Sequence, residues 1–299
     1  MTATTTAGWR LVPRRRWSLS ARWRNPVGIV GASMVAFVVL TAIFGPLIWT
    51  IDPNNPAYER LQGPSWAHPM GTDDLGRDTL ARVIHGAQVS LEVGLIAVGI
   101  SLFAGLLIGV FSSYYRGFVD LALMRVVDIA FAFPLLVLAI LIVGLLGPSR
   151  RNAIIALGIV YAPAFARVIR GAALEVLGLP FIESARSLGA NDLRVMRRHV
   201  LPNITAPVIV ITTMYLGQAI LGEAFLSFLG LGTQPPEAAW GNMLANGRNF
   251  IEASVWLSVF PGLAIMFTVL AFNFLGDGLR DILDPRLGGV ADEITVRSK

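Results

Sequence analysis

Six long apolar runs constrain the fold of this chain more than any other feature of its sequence. A bilayer core of roughly 30 Å needs about 20 apolar residues to be crossed by a helix. The runs lie at Val27–Thr50, Gln88–Phe111, Leu121–Leu146, Ala153–Ile169, Ala206–Leu229 and Ser254–Leu275. None alternates polar and apolar residues as a membrane barrel strand does. The sequence therefore predicts an all-α fold, a polytopic bundle of six transmembrane helices.

Composition supports a membrane protein and removes several kinds of chemistry. Hydrophobic residues make up 55% of the chain and charged residues 14%, against about 25% charged in a typical soluble domain. The chain has no cysteine, which excludes disulfides, thiolate metal sites and cysteine nucleophiles. Its histidines, His68, His85 and His199, lie far apart and show no metal-ligand spacing. We therefore expect no metal site and no catalytic site.

The distribution of basic residues predicts the orientation of the spans. If the N-terminus is cytoplasmic, 17 basic residues fall on the cytoplasmic side and 6 on the other, as the positive-inside rule requires. This bias explains the net charge of +5 without a nucleic-acid partner. The first run is longer than a signal-peptide core, so we expect it to be retained.

The same orientation divides the chain into three parts. We predict a cytoplasmic N-terminal tail (1–26), a membrane domain (27–275) and a cytoplasmic C-terminal tail (276–299). Within the membrane domain, residues 51–87 form an extracytoplasmic cap and residues 170–205 a cytoplasmic loop.

Small residues and prolines inside the runs predict how the helices pack. Gly28 with Ala32, and Gly105 with Gly109, have the spacing that lets two membrane helices approach closely. Three prolines fall within runs and should kink their helices or free local carbonyls. They are Pro134, Pro163 and Pro261.

Four ionisable residues lie at membrane depth or close to it. Glu92, Arg125, Asp128 and Glu223 must face protein or water, because a charge exposed to lipid is costly. Arg125 and Asp128 are three residues apart on one helical face and could form an ion pair. Glu223 could line a solute path or pair across a helix interface, and the sequence leaves both open.

An arginine-rich stretch between the fourth and fifth runs, residues 181–203, is here called the basic loop. It predicts two short helices, Phe181–Leu188 and Asp192–His199, the second behind an Asn191 N-cap. Apolar stripes are expected on both. They comprise Phe181, Ile182, Ala185 and Leu188 on the first helix and Leu193, Met196 and Val200 on the second. Such a loop could lie on anionic lipid, but the short first stripe, with small residues beside it, favours docking into a protein groove.

Several motifs resemble one family. Glu183-Ser184-Ala185, Gly189 and Leu201-Pro202 resemble the EAA signature of the membrane subunits of ABC importers, with Ser184 in place of the second alanine and His199 in place of an isoleucine. Residues 71–78, 226–232, 240–244 and 273–286 resemble elements of its dipeptide, oligopeptide and nickel branch, in the C-type subunit.

This resemblance implies a type I ABC importer permease in a bacterial inner membrane, forming half of a path for short peptides. A second permease subunit, two ATPase subunits or one fused pair, and an extracytoplasmic binding protein would complete the importer. The basic loop would couple to an ATPase. The implied coupling residues are Glu183, Ser184, Ala185, Arg186, Leu188 and Gly189.

The chain itself should bind no nucleotide, because it has no Walker A pattern and its only lysine is Lys299. ATP and magnesium would bind to the partner ATPases, and this chain would hold no cofactor. Other cargoes for the same machinery are nickel complexes, glutathione or small sugars.

Two other functional classes remain open. An ion-driven secondary transporter would need a site near the bilayer midplane. A membrane enzyme would need a catalytic cluster, for which His68, Asp73, Asp74 and His85 are the only candidates.

Overall fold

All regular elements of the described chain are helical. The structure, a computed structural model, describes residues 25–283, so residues 1–24 and 284–299 of the two predicted tails lie outside it. The helices are α1 (Pro26–Ile48), α2 (Thr79–Tyr115), α3 (Gly117–Phe131), α4 (Leu135–Leu146), α5 (Arg150–Leu177), α6 (Pro180–Ser187), α7 (Asp192–Val195), α8 (Thr205–Phe228), α9 (Trp240–Gly247) and α10 (Trp256–Leu283).

Five helices are long and apolar enough to cross a membrane, namely α1, α2, α5, α8 and α10. The third predicted run is not one helix: α3 and α4 meet at a bend of 91°. Pro134 is the cause, because it has no N–H to donate and disfavours helical geometry in the residue before it. With this bent pair counted as one span, the structure has the six predicted spans.

Several helices run past the ends of the apolar runs. Helix α2 begins at Thr79, where the Asp78 side chain caps it by accepting a hydrogen bond from the N–H of Ala81 at 2.7 Å. Residues 51–78 of the predicted cap therefore precede α2, and residues 79–87 form its first turns. Helix α10 continues to Leu283, beyond the predicted end at Leu275. Hydropathy detects only the part of a helix that is apolar, and polar turns extend both helices.

Helices α2 and α5 pack closely through glycines, as the sequence predicts. A Cβ atom on Gly105 would lie 2.3 Å from Cβ of Phe165, and one on Gly109 would lie 2.7 Å from the carbonyl oxygen of Ala166. The Ser101 hydroxyl donates to the carbonyl of Gly158 at 2.8 Å. Small residues thus bring the two backbones together, and the hydroxyl supplies a bond across the interface.

We expect Gly105→Ala to destabilise the bundle by about 1–3 kcal/mol, because the added methyl group forces α2 and α5 apart. Gly99→Ala is the matched control, since it adds the same methyl group to the same helix where no atom lies within 4 Å. Thermal unfolding in detergent should separate the two variants. Equal midpoints would contradict the close helix contact.

The predicted Gly28–Ala32 pair is half correct. A Cβ atom on Gly28 would lie 3.0 Å from Cα of Gly278, so this glycine does face α10. Ala32, in contrast, is exposed. Gly31 takes its place, since its Cβ atom would lie 2.3 Å from the backbone nitrogen of Leu275. Residues three apart share a helix face as readily as residues four apart.

Candidate functional site

The basic loop folds as two short helical pieces, as predicted. Helix α6 ends near Gly189, whose φ of +84° lies in the left-handed region that favours glycine. The Asn191 side chain then accepts a hydrogen bond from the N–H of Arg194 at 2.9 Å, which confirms the predicted N-cap of α7. A π-helical turn, Met196–Val200, follows α7.

One face of the basic loop is anchored in the core of the bundle. Ile182 is 1% exposed, and Val195 and Val200 are fully buried. Of the predicted apolar stripe on the second helix, Met196 and Val200 face the core and Leu193 is exposed, whereas Val195, which is outside the stripe, is buried. The π-helical turn is the reason, because its wider turn shifts the positions that face the core relative to a regular helix.

The opposite face of the loop points away from the bundle. Among the residues predicted to couple, only Ala185 is partly covered. Glu183, Ser184, Arg186, Leu188 and Gly189 are exposed. Leu188 is 88% exposed. The Ser184 hydroxyl donates to the carbonyl of Pro180 at 3.2 Å, so serine fits the second alanine position of the signature.

Tyr114, at the end of α2, holds both halves of the basic loop. Its hydroxyl donates to the Asp192 carboxylate at 2.6 Å. The guanidinium carbon of Arg186 lies 5.2 Å from the centre of its ring, within the range of a cation–π contact. Nothing in the spacing of the sequence indicates this contact, because Tyr114 and Asp192 lie on different elements far apart in the chain.

We expect Tyr114→Ala to reduce transport about 10-fold or more while the protein still inserts, because the loop loses its tether to α2. Tyr114→Phe keeps the ring under Arg186 and removes only the hydrogen bond, worth about 1.5–3 kcal/mol to a charged acceptor at most. It should have the smaller effect. Uptake measured at equal membrane abundance checks the order, and full activity of the alanine variant would exclude the tether.

The predicted ion pair between Arg125 and Asp128 does not form. Asp128 instead bonds to Arg167 of α5, with 2.9 Å between the nitrogen and the oxygen. A second pair joins the same helices, since Arg170 donates to both oxygens of Asp120 at 2.7 and 2.5 Å. Arginines of α5 thus outcompete a neighbour on the same helix, because the packing of α3 against α5 brings them within reach.

Glu223 is fully buried in α8 and lies at the centre of a hydroxyl network. It accepts hydrogen bonds from Ser227 at 2.6 Å, from Thr233 at 3.4 Å and from Ser90 of α2 at 3.4 Å. The network ties α8 to α2 and to the turn that follows α8. Its predicted role on a solute path stays a prediction.

The part of the cap that precedes α2, residues 51–78, folds back on itself around Asp73. This carboxylate accepts from the backbone N–H and the Nε–H of Arg77, at 2.9 and 2.6 Å. Gly71 and Gly76 both have positive φ, and a Cβ atom on either would lie within 2.3 Å of a backbone carbonyl oxygen. The motif at 71–78 is therefore a rigid turn that requires glycine at both positions.

The residues of the catalytic alternative are each held by separate partners. His68 bonds to Asp78 at 2.7 Å, and His85 to the carbonyl of Ala81 at 2.9 Å. Asp74 accepts from Asn246. Within residues 25–283, no group of three or more potential ligands is arranged to hold a metal ion.

The fold assigns the chain to a class of membrane proteins. A bundle of membrane-spanning helices with an exposed, anchored loop of this kind is the architecture of permeases of type I ABC importers, and solved structures show the same fold. The inward-facing MetNI methionine ABC transporter matches with a TM-score of 0.56 and 20% identity, covering 68% of this chain and 96% of that chain. An amino acid ABC transporter with histidines matches with a TM-score of 0.53 and 20% identity, covering 67% and 92%.

Sequence comparison names the family. Residues 101–289 match the binding-protein-dependent transport system inner membrane component, and residues 23–64 match the N-terminal TM domain of oligopeptide transport permease C. The chain belongs to this family of inner membrane permease components, which confirms the predicted resemblance.

Two curated relatives are close over nearly their whole length. The dipeptide transport system permease protein of Alkalihalophilus pseudofirmus is 43% identical, over 92% of this chain and 93% of that protein. A glutathione transport system permease protein of Escherichia coli is 46% identical, over 89% and 88%.

Proposed function

We propose that this chain forms one half of the translocation path of an ATP-driven importer of short peptides. The relatives named for dipeptide and glutathione transport support the cargo, since glutathione is itself a small peptide. The observation that carries the proposal is the exposed face of the basic loop, where Glu183, Leu188 and the left-handed Gly189 stand clear of the bundle. If a partner covers Leu188, apolar surface is removed from water, and this favours docking.

The partners follow from that surface. A second permease would complete the path, two ATPase subunits or a fused pair would bind ATP and magnesium, and an extracytoplasmic binding protein would deliver the peptide. This chain is then a subunit without catalytic activity. Both termini and the basic loop lie in the cytoplasm, and the cap faces outward.

The basic loop transmits motion as a lever. ATP binding closes the two ATPases, and α6, seated in a groove of one of them, moves with it. The buried Ile182 and Val200 and the Tyr114 tether carry that movement into the bundle. Changing a mostly inward-open population into a mostly outward-open one takes about 5.5 kcal/mol of differential binding.

Crosslinking tests the coupling directly. Because the chain has no cysteine, Leu188→Cys introduces a single thiol, and an ATPase subunit should crosslink to it in membranes that contain the whole importer. Trp66→Cys is the control, since Trp66 is fully exposed but lies on the cap. Capture of the ATPase at Trp66 and not at Leu188 would reverse the orientation and overturn the proposal.

Transport in vesicles tests the function. Uptake of a labelled dipeptide should require ATP and persist when the proton gradient is dissipated. Uptake that survives without ATP but stops with the gradient would instead indicate an ion-driven transporter.

A further inference from the structure

A polar cavity of about 290 Å³ opens on the cap side of the bundle, where α2, the start of α5 and the segment after α8 meet. It is separate from the basic loop. The polar side chains that line it are Asn54, His85, Gln88, Glu92, Arg150 and Glu237.

His85, Gln88 and Glu92 share one face of α2. The hydrogen bonds that His85 and Gln88 already form determine which of their atoms can accept a bond from a ligand. The ring Nδ1 of His85 lies 2.9 Å from the carbonyl of Ala81. A carbonyl only accepts, so Nδ1 carries the proton and, in the neutral ring, Nε2 is left as an acceptor. The Gln88 amide nitrogen donates to the carbonyl of Ala42 at 2.7 Å, which leaves the amide oxygen free to accept.

The charges in the cavity are unequal. Arg150 donates to Glu237 at 2.5 Å and lies 3.4 Å from Glu92. Each of these three side chains is between 32% and 46% exposed. Two carboxylates thus share one guanidinium. A second guanidinium, that of Arg82, donates to the carbonyl of Pro53 in the cavity wall at 2.9 Å, but it is paired with Asp73 at 3.6 Å. One carboxylate of the cavity is therefore in excess, and several of its oxygen lone pairs remain open.

The cavity offers more hydrogen-bond acceptors than donors and carries an excess negative charge. It therefore suits a cationic ligand that has several hydrogen-bond donors. A primary ammonium has three N–H donors and no acceptor, as in the ammonium of lysine. A metal ion fits less well, because within residues 25–283 no group of three or more potential ligands is arranged to hold one. The cavity volume also exceeds what a bare ion needs and accommodates the first residue of a peptide.

We propose that this cavity binds the N-terminal ammonium group of a peptide as it enters the path, with Glu92, Glu237, His85 Nε2 and Gln88 Oε1 as acceptors. Arg150 orients the two carboxylates and limits the site to a single positive charge. The inference rests on the proposed peptide-import function and deepens it by assigning a cargo group to residues of this chain.

A thiol-protection assay tests the site in membranes that contain the whole importer. Asn54→Cys places the only thiol of this chain on the cavity wall, and its modification rate by aminoethyl methanethiosulfonate is measured. At a concentration about ten times its dissociation constant, a dipeptide with a free N-terminus should slow the reaction about 10-fold, because only the unoccupied site reacts. The same dipeptide N-acetylated should not slow it.

Charge-neutral variants complete the test. Adding Glu92→Gln and Glu237→Gln to the cysteine variant should remove protection by the free dipeptide. Glu252→Gln, an exposed glutamate after α9, should leave protection unchanged. Equal protection by both dipeptides, absence of protection by the free one, or protection that persists in the double glutamine variant would overturn the inference.

Dipeptide uptake by the unmodified importer separates this inference from the function on which it rests. Uptake without protection of the thiol overturns the ammonium site alone. If the importer carries no dipeptide in the presence of ATP, the proposed function itself fails, and the assignment of a cargo group fails with it.

Discussion

Gly189→Val should abolish transport while leaving membrane insertion intact. Gly189 has φ of +84° and joins α6 to α7. A residue with a Cβ atom pays roughly 1–2 kcal/mol in this region, and a β-branched residue is a true outlier there. Because no atom lies within 4 Å of the position a Cβ would take, the cause would be the backbone conformation and not a clash. The α6–α7 junction would open and displace the coupling face.

Gly171→Val is the matched control for this prediction. Gly171 is also exposed, also has no atom within 4 Å of a Cβ position, and lies in α5, a short distance along the chain from the basic loop. Its φ is not positive, so valine should fit. ATP-driven uptake at equal membrane abundance is the measurement. Normal uptake by Gly189→Val, or an equal loss in Gly171→Val, would contradict a role for the left-handed turn.

Glu223→Leu should destabilise the membrane bundle by about 3 kcal/mol or more. Its carboxylate is the acceptor for buried hydroxyls of Ser90, Ser227 and Thr233. Each buried donor left without a partner costs about 1–3 kcal/mol. Glu223→Gln keeps an amide oxygen that can accept, so it should lose less stability.

Unfolding in detergent, followed by temperature or denaturant, measures the difference between the two variants. Glu175→Leu is the control, since it makes the same exchange at an exposed helical position of α5. A Glu223→Leu protein that is as stable as the parent but has altered cargo preference would place this carboxylate on the solute path. That outcome would favour the solute path over the structural role, the two alternatives that the sequence leaves open.

The helical membrane fold follows from local sequence because apolar length is a local property. Each of the six runs identifies a helix or a bent helix pair, and hydropathy alone suffices for this. The break at Pro134 is also local in origin, yet the angle of 91° between α3 and α4 depends on what packs against each half. The sequence therefore predicts that the helix is disturbed there but not by how much.

The coupling surface could be predicted as a motif but not as a shape. The order Glu183, Ala185, Gly189 marks the loop, and the Asn191 cap follows from a residue preference. The π-helical turn at Met196–Val200 changes which side chains face the core, and no residue preference announces it. Regular helical spacing groups Leu193 with Met196 and Val200, whereas in the structure Val195 is buried with them and Leu193 is exposed.

Sequence by itself determined the elements, the orientation hypothesis and the family, because these depend on runs, counts and ordered motifs along the chain. Only the tertiary structure decided the partners of the charged and polar groups: Asp128 with Arg167, Tyr114 with Asp192, and Arg150 with Glu92 and Glu237. An ion pair or hydrogen bond forms only within a few ångströms, and residues far apart in the chain reach that distance only through helix packing.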